Sequence, residues 1–237
     1  MTSIAERLTE VRMQIIEQCQ QHKRLTDSVQ LIAVSKSKPI SDIVEAFNHG
    51  QRQFGENYVQ EAVAKVQQLQ ELPIEWHFLG PIQSNKTRDI ANHFHWVHSV
   101  ARLKIAQRLS AQRSDSQAAL NLLIQVNIDD DAAKAGIAPA QLLDFAAQIA
   151  ALPRVQLRGL MTIPAVTTDP SQTATSFAAM NRLFLQLKSQ YPQVDTLSMG
   201  MSADWPIAIA QGATMIRIGT ALFGAREHSP QSTGDSQ

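Results

Sequence analysis

The 237-residue sequence predicts an α/β fold: a single (β/α)8 TIM barrel preceded by one extra helix. Eight short apolar or β-branched runs alternate with seven helical patterns, no linker divides the chain, and the length approaches the roughly 250 residues such a barrel needs. A closed barrel is favoured over an open sheet because it leaves no strand edges to protect.

Ile4, Leu8, Val11, Ile15 and Cys19 step by three or four residues, the stripe of an amphipathic helix. Strand-like runs follow at 31–35, 52–56, 75–79, 95–99, 122–128, 156–161, 194–199 and 215–219. Helical patterns lie between them at 40–48, 56–70, 84–91, 101–112, 138–151, 172–190 and 203–211. Phe177, Met180 and Phe184 keep helical spacing and read as core. One domain is expected over 1–226, followed by a tail, 227–237, with no apolar residue to anchor it.

Composition narrows the function classes. Lys plus Arg number 21 and Asp plus Glu 21, so no basic surplus suits a nucleic-acid binder. One cysteine rules out a disulfide scaffold, and no motif around Cys19 marks it as a catalytic thiol. Glu6, Arg7, Glu10, Arg12 and Glu17 interrupt the start, which therefore lacks the apolar core of a secretory signal. No run approaches 18 apolar residues. The expected home is the cytoplasm, and the expected state a monomer without nucleic-acid or membrane partners.

Active sites of such barrels lie at the C-terminal ends of the strands. After the first run stand Lys36 and Lys38, which share a face if the strand persists; like charges there depress each other's pKa. A lysine that forms a Schiff base needs that help, although a solvated Lys-Ser-Lys loop fits the segment equally. After the seventh run come Ser198, Gly200, Met201 and Ser202. Ser202 suits a helix N-cap, and Gly200 a close approach of backbone to ligand. At the eighth run Arg217 precedes Gly219 and Thr220. Loops after strands seven and eight are the usual phosphate site of this fold. An amine opposite a phosphate cradle suits a phosphorylated aldehyde, and pyridoxal 5'-phosphate (PLP) is such a ligand. Arg217 offers only donors, so against the pyridine nitrogen it would keep that nitrogen unprotonated and weaken the ring as an electron sink.

The blocks AVSKSKP, QFGENYVQE, WHFLGPIQSNK, GLMTIP, LSMGMS and RIGTALFG, in this order, resemble the PLP homeostasis protein family. The resemblance implies the barrel of the alanine racemase N-terminal domain. It implies PLP held by Lys36 as an internal aldimine, Asn57 beside the ring, and Arg217 at the pyridine nitrogen. Ser198, Ser202, Gly219 and Thr220 would surround the phosphate, and Gly200 and Met201 would also bind the cofactor. It further implies a carrier in vitamin B6 and amino/keto acid balance that delivers PLP to apoenzymes without a robust reaction. Two departures stand out: Trp205-Pro206 soon after Asp204, where the family usually has a further acidic residue, and Asp131 and Ala133 where Glu and Ser are common. Lys134 remains as a second amine near the mouth.

Competing readings are an alanine-racemase-like enzyme and a PLP-independent phosphosugar enzyme with Glu56 as acid/base. Racemisation needs an opposing acid/base group, which racemases take from a second domain for which 237 residues leave no room. His93, His95 and His98 lack a carboxylate or thiol to complete a zinc site. Asp129 to Asp131 lack the spacing of a calcium loop and read as a solvated loop. Lys86 and Arg88 fit a solvated helix face, and His77 either a pocket support or a core histidine.

Overall fold

A computed structural model describes residues 2–224. Eight parallel strands close into a barrel in simple chain order, the last pairing with the first. After α1 (Ile4–Gln21) come β1 (Gln30–Val34), α2 (Ile40–Asn48), β2 (Gln53–Glu56), α3 (Val59–Gln68), β3 (Glu75–Phe78) and α4 (Thr87–His93). Then follow β4 (Trp96–Val100), α5 (Leu103–Gln112), β5 (Leu120–Gln125), α6 (Leu142–Ala150) and β6 (Val155–Met161). The chain continues through α7 (Pro170–Gln190), β7 (Thr196–Ser198), α8 (Trp205–Ala210), β8 (Met215–Ile218) and the one-turn α9 (Thr220–Phe223). No helix among the described residues is long and apolar enough to cross a membrane. The tail expected at 227–237 lies outside the described residues.

Every strand and helix expected from the sequence is present. β5 starts two residues before the expected run and stops at Gln125, because Val126 leaves the ladder to bridge Ile137. α9 was not expected, since four residues are too few to show a helical period. His93 belongs to α4 rather than to a strand, so it shares no strand face with His95. Its Nδ1 meets Asp89 O at 2.9 Å, whereas His95 Nδ1 accepts from the Trp76 amide at 3.0 Å. Among the described residues no cluster of His, Cys, Asp or Glu is arranged to hold a metal ion.

α1 opens with a capping box in which Ser3 and Glu6 satisfy each other's amides. Its stripe of Ile4, Leu8, Val11, Ile15 and Cys19 is buried and packs beside α2, α8 and α9, covering the seam where β8 meets β1. A buried large aliphatic side chain contributes roughly 1.5–3 kcal/mol and a cap about 1 kcal/mol, so packing holds this helix in place. Cys19 is a free, fully buried thiol within that stripe.

Strand alternation sorts the side chains. Phe54, Trp76, Phe78, Val97, Leu122, Leu160, Leu197, Ile216 and Ile218 join the main core between sheet and helices. Ile32, Trp96, Leu123, Met161 and Met215 form a separate cluster with Leu79 and Ile163 packed against it. Phe177, Met180 and Phe184 bury the inner face of α7 as expected.

Gly159 in β6 lies where a Cβ would run into the backbone carbonyl of Thr196 in β7. Gly159→Ala is therefore expected to cost about 2 kcal/mol, roughly 4–8 °C in Tm, read by thermal denaturation. An unchanged Tm would contradict this close contact.

Candidate functional site

At the C-terminal ends of the strands an open cavity of about 330 Å3 is lined by Val34, Lys36, Asn57, Leu79, Met161, Ile163, Met201, Ser202, Ala203, Arg217, Gly219 and Thr220. Larger hollows of about 400 Å3 beside Asp129 and about 640 Å3 beside Arg102 contain none of the residues singled out for the ligand. The strand-end cavity brings together Lys36, Asn57, Met201, Ser202, Arg217, Gly219 and Thr220. Ser198 and Gly200 are buried and are not among its lining residues.

Lys36 owes its position to a buried clamp. β1 ends at Val34, and Ser37 has φ 59°, a left-handed turn that carries the chain off the strand. Lys65 on α3 donates from Nζ to Ser35 O at 2.7 Å, Glu56 Oε1 at 2.8 Å and Glu61 Oε1 at 2.6 Å. The Ser35 hydroxyl donates to Glu56 Oε1 at 2.7 Å, and the Ser37 amide to Glu61 Oε1 at 2.6 Å. The residues on both sides of Lys36 are thus tied to one ammonium and two carboxylates. Lys38 turns away and donates to Phe223 O at 2.9 Å. The shared lysine face expected from the sequence is absent because the strand stops before either residue.

Glu56 is fully buried, but it faces α3 rather than the cavity. Burial pushes its carboxyl pKa up, while Lys65 and Ser35 pull it back. The acid/base that a phosphosugar enzyme would require therefore stands outside the cavity.

Arg217, on the neighbouring strand β8, is the second charged residue of the lining. It is buried, with Nη1 donating to Ser198 Oγ at 2.7 Å and Nη2 to Thr162 O at 2.9 Å. Burial pulls its pKa down to about 10, against the opposing pull of Asp204, so it stays charged at neutral pH. Ser198 is thus a buried partner of Arg217. His98 Nδ1 lies 2.9 Å from Ser198 Oγ, His98 Nε2 2.9 Å from His77 Nδ1, and His77 Nε2 3.1 Å from Glu75 Oε1. His77 is therefore a hydrogen-bonded interior residue connected to the pocket wall.

Small polar groups stand beside them. A Cβ on Gly219 would lie 3.2 Å from Val34 O, so the bare backbone keeps that corner open. Asp204, not Ser202, is the N-cap of α8, and Pro206 sits in the first turn. The Asp204 side chain holds the Met201 amide at 2.6 Å, leaving the exposed Ser202 on the cavity wall. Gly200, expected to admit a ligand, has φ 93° and lies where a Cβ would come within 2.6 Å of Ala208 Cβ. It serves the packing of α8. The buried Asn57 Oδ1 has no hydrogen-bond partner within the protein.

Other residues weighed from the sequence serve the scaffold. Lys134 Nζ donates to Ile163 O at 3.3 Å and to Pro164 O, tying one loop to a cavity-lining residue. Asp129 accepts from the Ala165 amide at 2.6 Å and from Ser176 Oγ at 2.5 Å. Lys86 and Arg88 begin α4, away from the cavity.

The family model "Alanine racemase, N-terminal domain" matches residues 13–227. The chain is 50% identical over 231 residues to the pyridoxal phosphate homeostasis protein of Pasteurella multocida, covering 96% of this chain and 99% of the relative. The chain belongs to the pyridoxal phosphate homeostasis protein family. Within that family, the Pseudomonas aeruginosa protein is 51% identical over 228 residues, 96% of this chain and 98% of its own. Among solved structures, PipY of Synechococcus elongatus PCC7942 with PLP bound superposes with a TM-score of 0.83. That match has 45% identity and covers 94% of this chain and all of PipY.

Two predictions follow from the buried charges. Lys65→Met strands the buried Glu56 carboxyl and loosens the turn around Lys36; a loss of about 3–5 kcal/mol is expected in denaturant unfolding. A loss below about 1 kcal/mol would contradict the clamp. His77, His95 and His98 are each held below the ordinary 6.5, chiefly by burial. Their folded pKa values are lowered, so the unfolded chain binds more protons once pH falls past 6.5, and that stability is full above this pH and lost below it. Glu75, held low by its hydrogen bond from His77, adds a further loss below 4.5. Tm should be level above neutrality and fall steadily from about pH 6.5 to 5; a flat profile there would refute it.

Proposed function

We propose that this protein binds PLP through Lys36 and holds it for delivery to PLP-dependent apoenzymes, as a cytoplasmic monomer without a robust reaction of its own. The observation that carries this reading is the pairing, in one cavity, of the Lys36 amine with the buried, donor-only Arg217. When bound, PLP supplies an aldehyde that condenses with an amine and a pyridine ring able to withdraw electrons.

The donor set fits that group. Lys36 meets the aldehyde, and Arg217 donates toward the ring nitrogen. Ser198 and Thr162 engage two of the five guanidinium N–H donors, which leaves others for the cavity. Asn57 Oδ1 accepts at the ring edge, where it lacks a partner within the protein. Ser202, Gly219 and Thr220 supply a hydroxyl, a bare backbone and a second hydroxyl toward the phosphate. Leu79, Met161 and Ile163 give the ring an apolar floor.

Holding rather than turnover is favoured by the same residues. Arg217 keeps the ring nitrogen unprotonated, which weakens its electron demand. Racemisation uses two acid/base groups, whereas Lys36 and Arg217 are the ionisable side chains among the described residues lining the cavity. A reducing compartment suits the free Cys19 thiol, and balanced charge suits a protein without nucleic-acid partners.

Protein loaded with PLP should show a visible absorbance band that Lys36→Ala abolishes. Borohydride reduction followed by peptide mapping should place the pyridoxyl group on Lys36. A band retained in Lys36→Ala, or a label on another lysine, would overturn the assignment. Loss of optical rotation from L-alanine at turnover rates would overturn the carrier reading in favour of an enzyme.

A further inference from the structure

The row from Arg217 through Ser198, His98 and His77 to Glu75 satisfies its chemistry in one donor order. A guanidinium only donates, and a carboxylate only accepts. Ser198 Oγ receives a hydrogen from Arg217 Nη1 at 2.7 Å, so its own O–H turns to His98 Nδ1 at 2.9 Å. His98 must then carry its proton on Nε2 and give it to His77 Nδ1 at 2.9 Å. His77 likewise carries its proton on Nε2 and donates to Glu75 Oε1 at 3.1 Å. The reverse order would face the His77 Nε2 lone pair against a carboxylate and leave the buried Ser198 hydroxyl without an acceptor. Both rings are held for this pattern: His77 stacks on Trp96 at 5.6 Å and 10°, and meets His98 edge-on at 5.1 Å.

We propose that His77 and His98 are positioning residues, a relay of fixed polarity that holds Ser198 as an acceptor and so aims the remaining Arg217 donors into the cavity. The relay runs from Glu75, first residue of β3 with a side chain 39% exposed, to a guanidinium on the cavity wall. It moves no proton into the cavity, since the guanidinium has no lone pair to receive one. What it transmits is orientation: removing any member frees the next hydroxyl or ring to turn, and Arg217 loses its fixed aim. Burial, with the nearby Arg217 cation, holds the His98 ring neutral, as this order requires. The role in ligand binding rests on the reading of the cavity as a PLP site; the donor order does not.

Two measurements on the full chain separate these claims. Long-range 1H–15N NMR of the imidazoles, without added PLP at neutral pH, should show both His77 and His98 as neutral Nε2–H tautomers. An Nδ1–H tautomer or an imidazolium at either position would overturn the relay. In absorbance titrations with PLP, His98→Gln, whose amide also donates on one side and accepts on the other, should bind within about threefold of wild type. His98→Phe should bind about tenfold or more weakly, the scale of losing one hydrogen bond to a charged group. Ser198→Ala, which breaks the row with a smaller change, should weaken binding similarly if His98→Phe fails to fold. Wild-type affinity in His98→Phe, or in a folded Ser198→Ala, would refute the positioning role. Failure of wild type to bind PLP would remove the cofactor reading and with it the positioning role, while leaving the tautomer assignment intact.

Discussion

A guanidinium buried inside a barrel must be given acceptors by the surrounding strands, because an isolated buried charge costs many kcal/mol. Arg217 is 5% exposed, and its need organises much of what surrounds it. β7 contributes Ser198 and the end of β6 contributes Thr162 O, each bonded to a terminal nitrogen. Satisfying Ser198 then draws in His98 from β4, which draws in His77 and Glu75 from β3. A polar row thus runs beside the cluster of Ile32, Trp96, Leu123, Met161 and Met215, where barrels of this type are usually filled with branched aliphatics.

The surroundings of Lys36 obey the same rule. Lys65 is a buried cation held by Ser35 O and the carboxylates of Glu56 and Glu61, on the helix side of the sheet. Because Glu61 also binds the Ser37 amide, the clamp stabilises a left-handed residue next to Lys36. Lys36 and Arg217 thus line one cavity from adjacent strands, each beside side chains that hold its surroundings in place.

The architecture was legible in the sequence because parallel strands buried on both faces appear as short apolar runs at regular spacing, and helices show their own period. Lys36, Arg217, Gly219 and Thr220 were legible as candidates because they lie at or just after runs at the chemically important end of the barrel, and Asn57 through the resemblance carried by QFGENYVQE. What escaped were contacts set by register. The hydrogen bond from Arg217 to Ser198 was not visible in the sequence, because it depends on the register of β7 against β8. Lys38 would share a face with Lys36 only if the strand persisted, but β1 ends at Val34 and the chain turns at Ser37. His98 appeared as one of three spaced histidines; only the pairing of β3 with β4 sets it beside His77. Lys65 carried one visible signal, the i,i+4 spacing from Glu61, whereas its bonds to Ser35 and Glu56 depend on how α3 packs on the barrel.

The central claim is that a charged, donor-only Arg217 faces the ring of the ligand held by Lys36. Its most direct test is the 15N chemical shift of PLP labelled at the ring nitrogen and bound to the full chain at neutral pH. The account predicts the shift of an unprotonated, hydrogen-bonded pyridine nitrogen that moves when Arg217 is replaced by methionine. A pyridinium shift, or one indifferent to Arg217→Met, would contradict it.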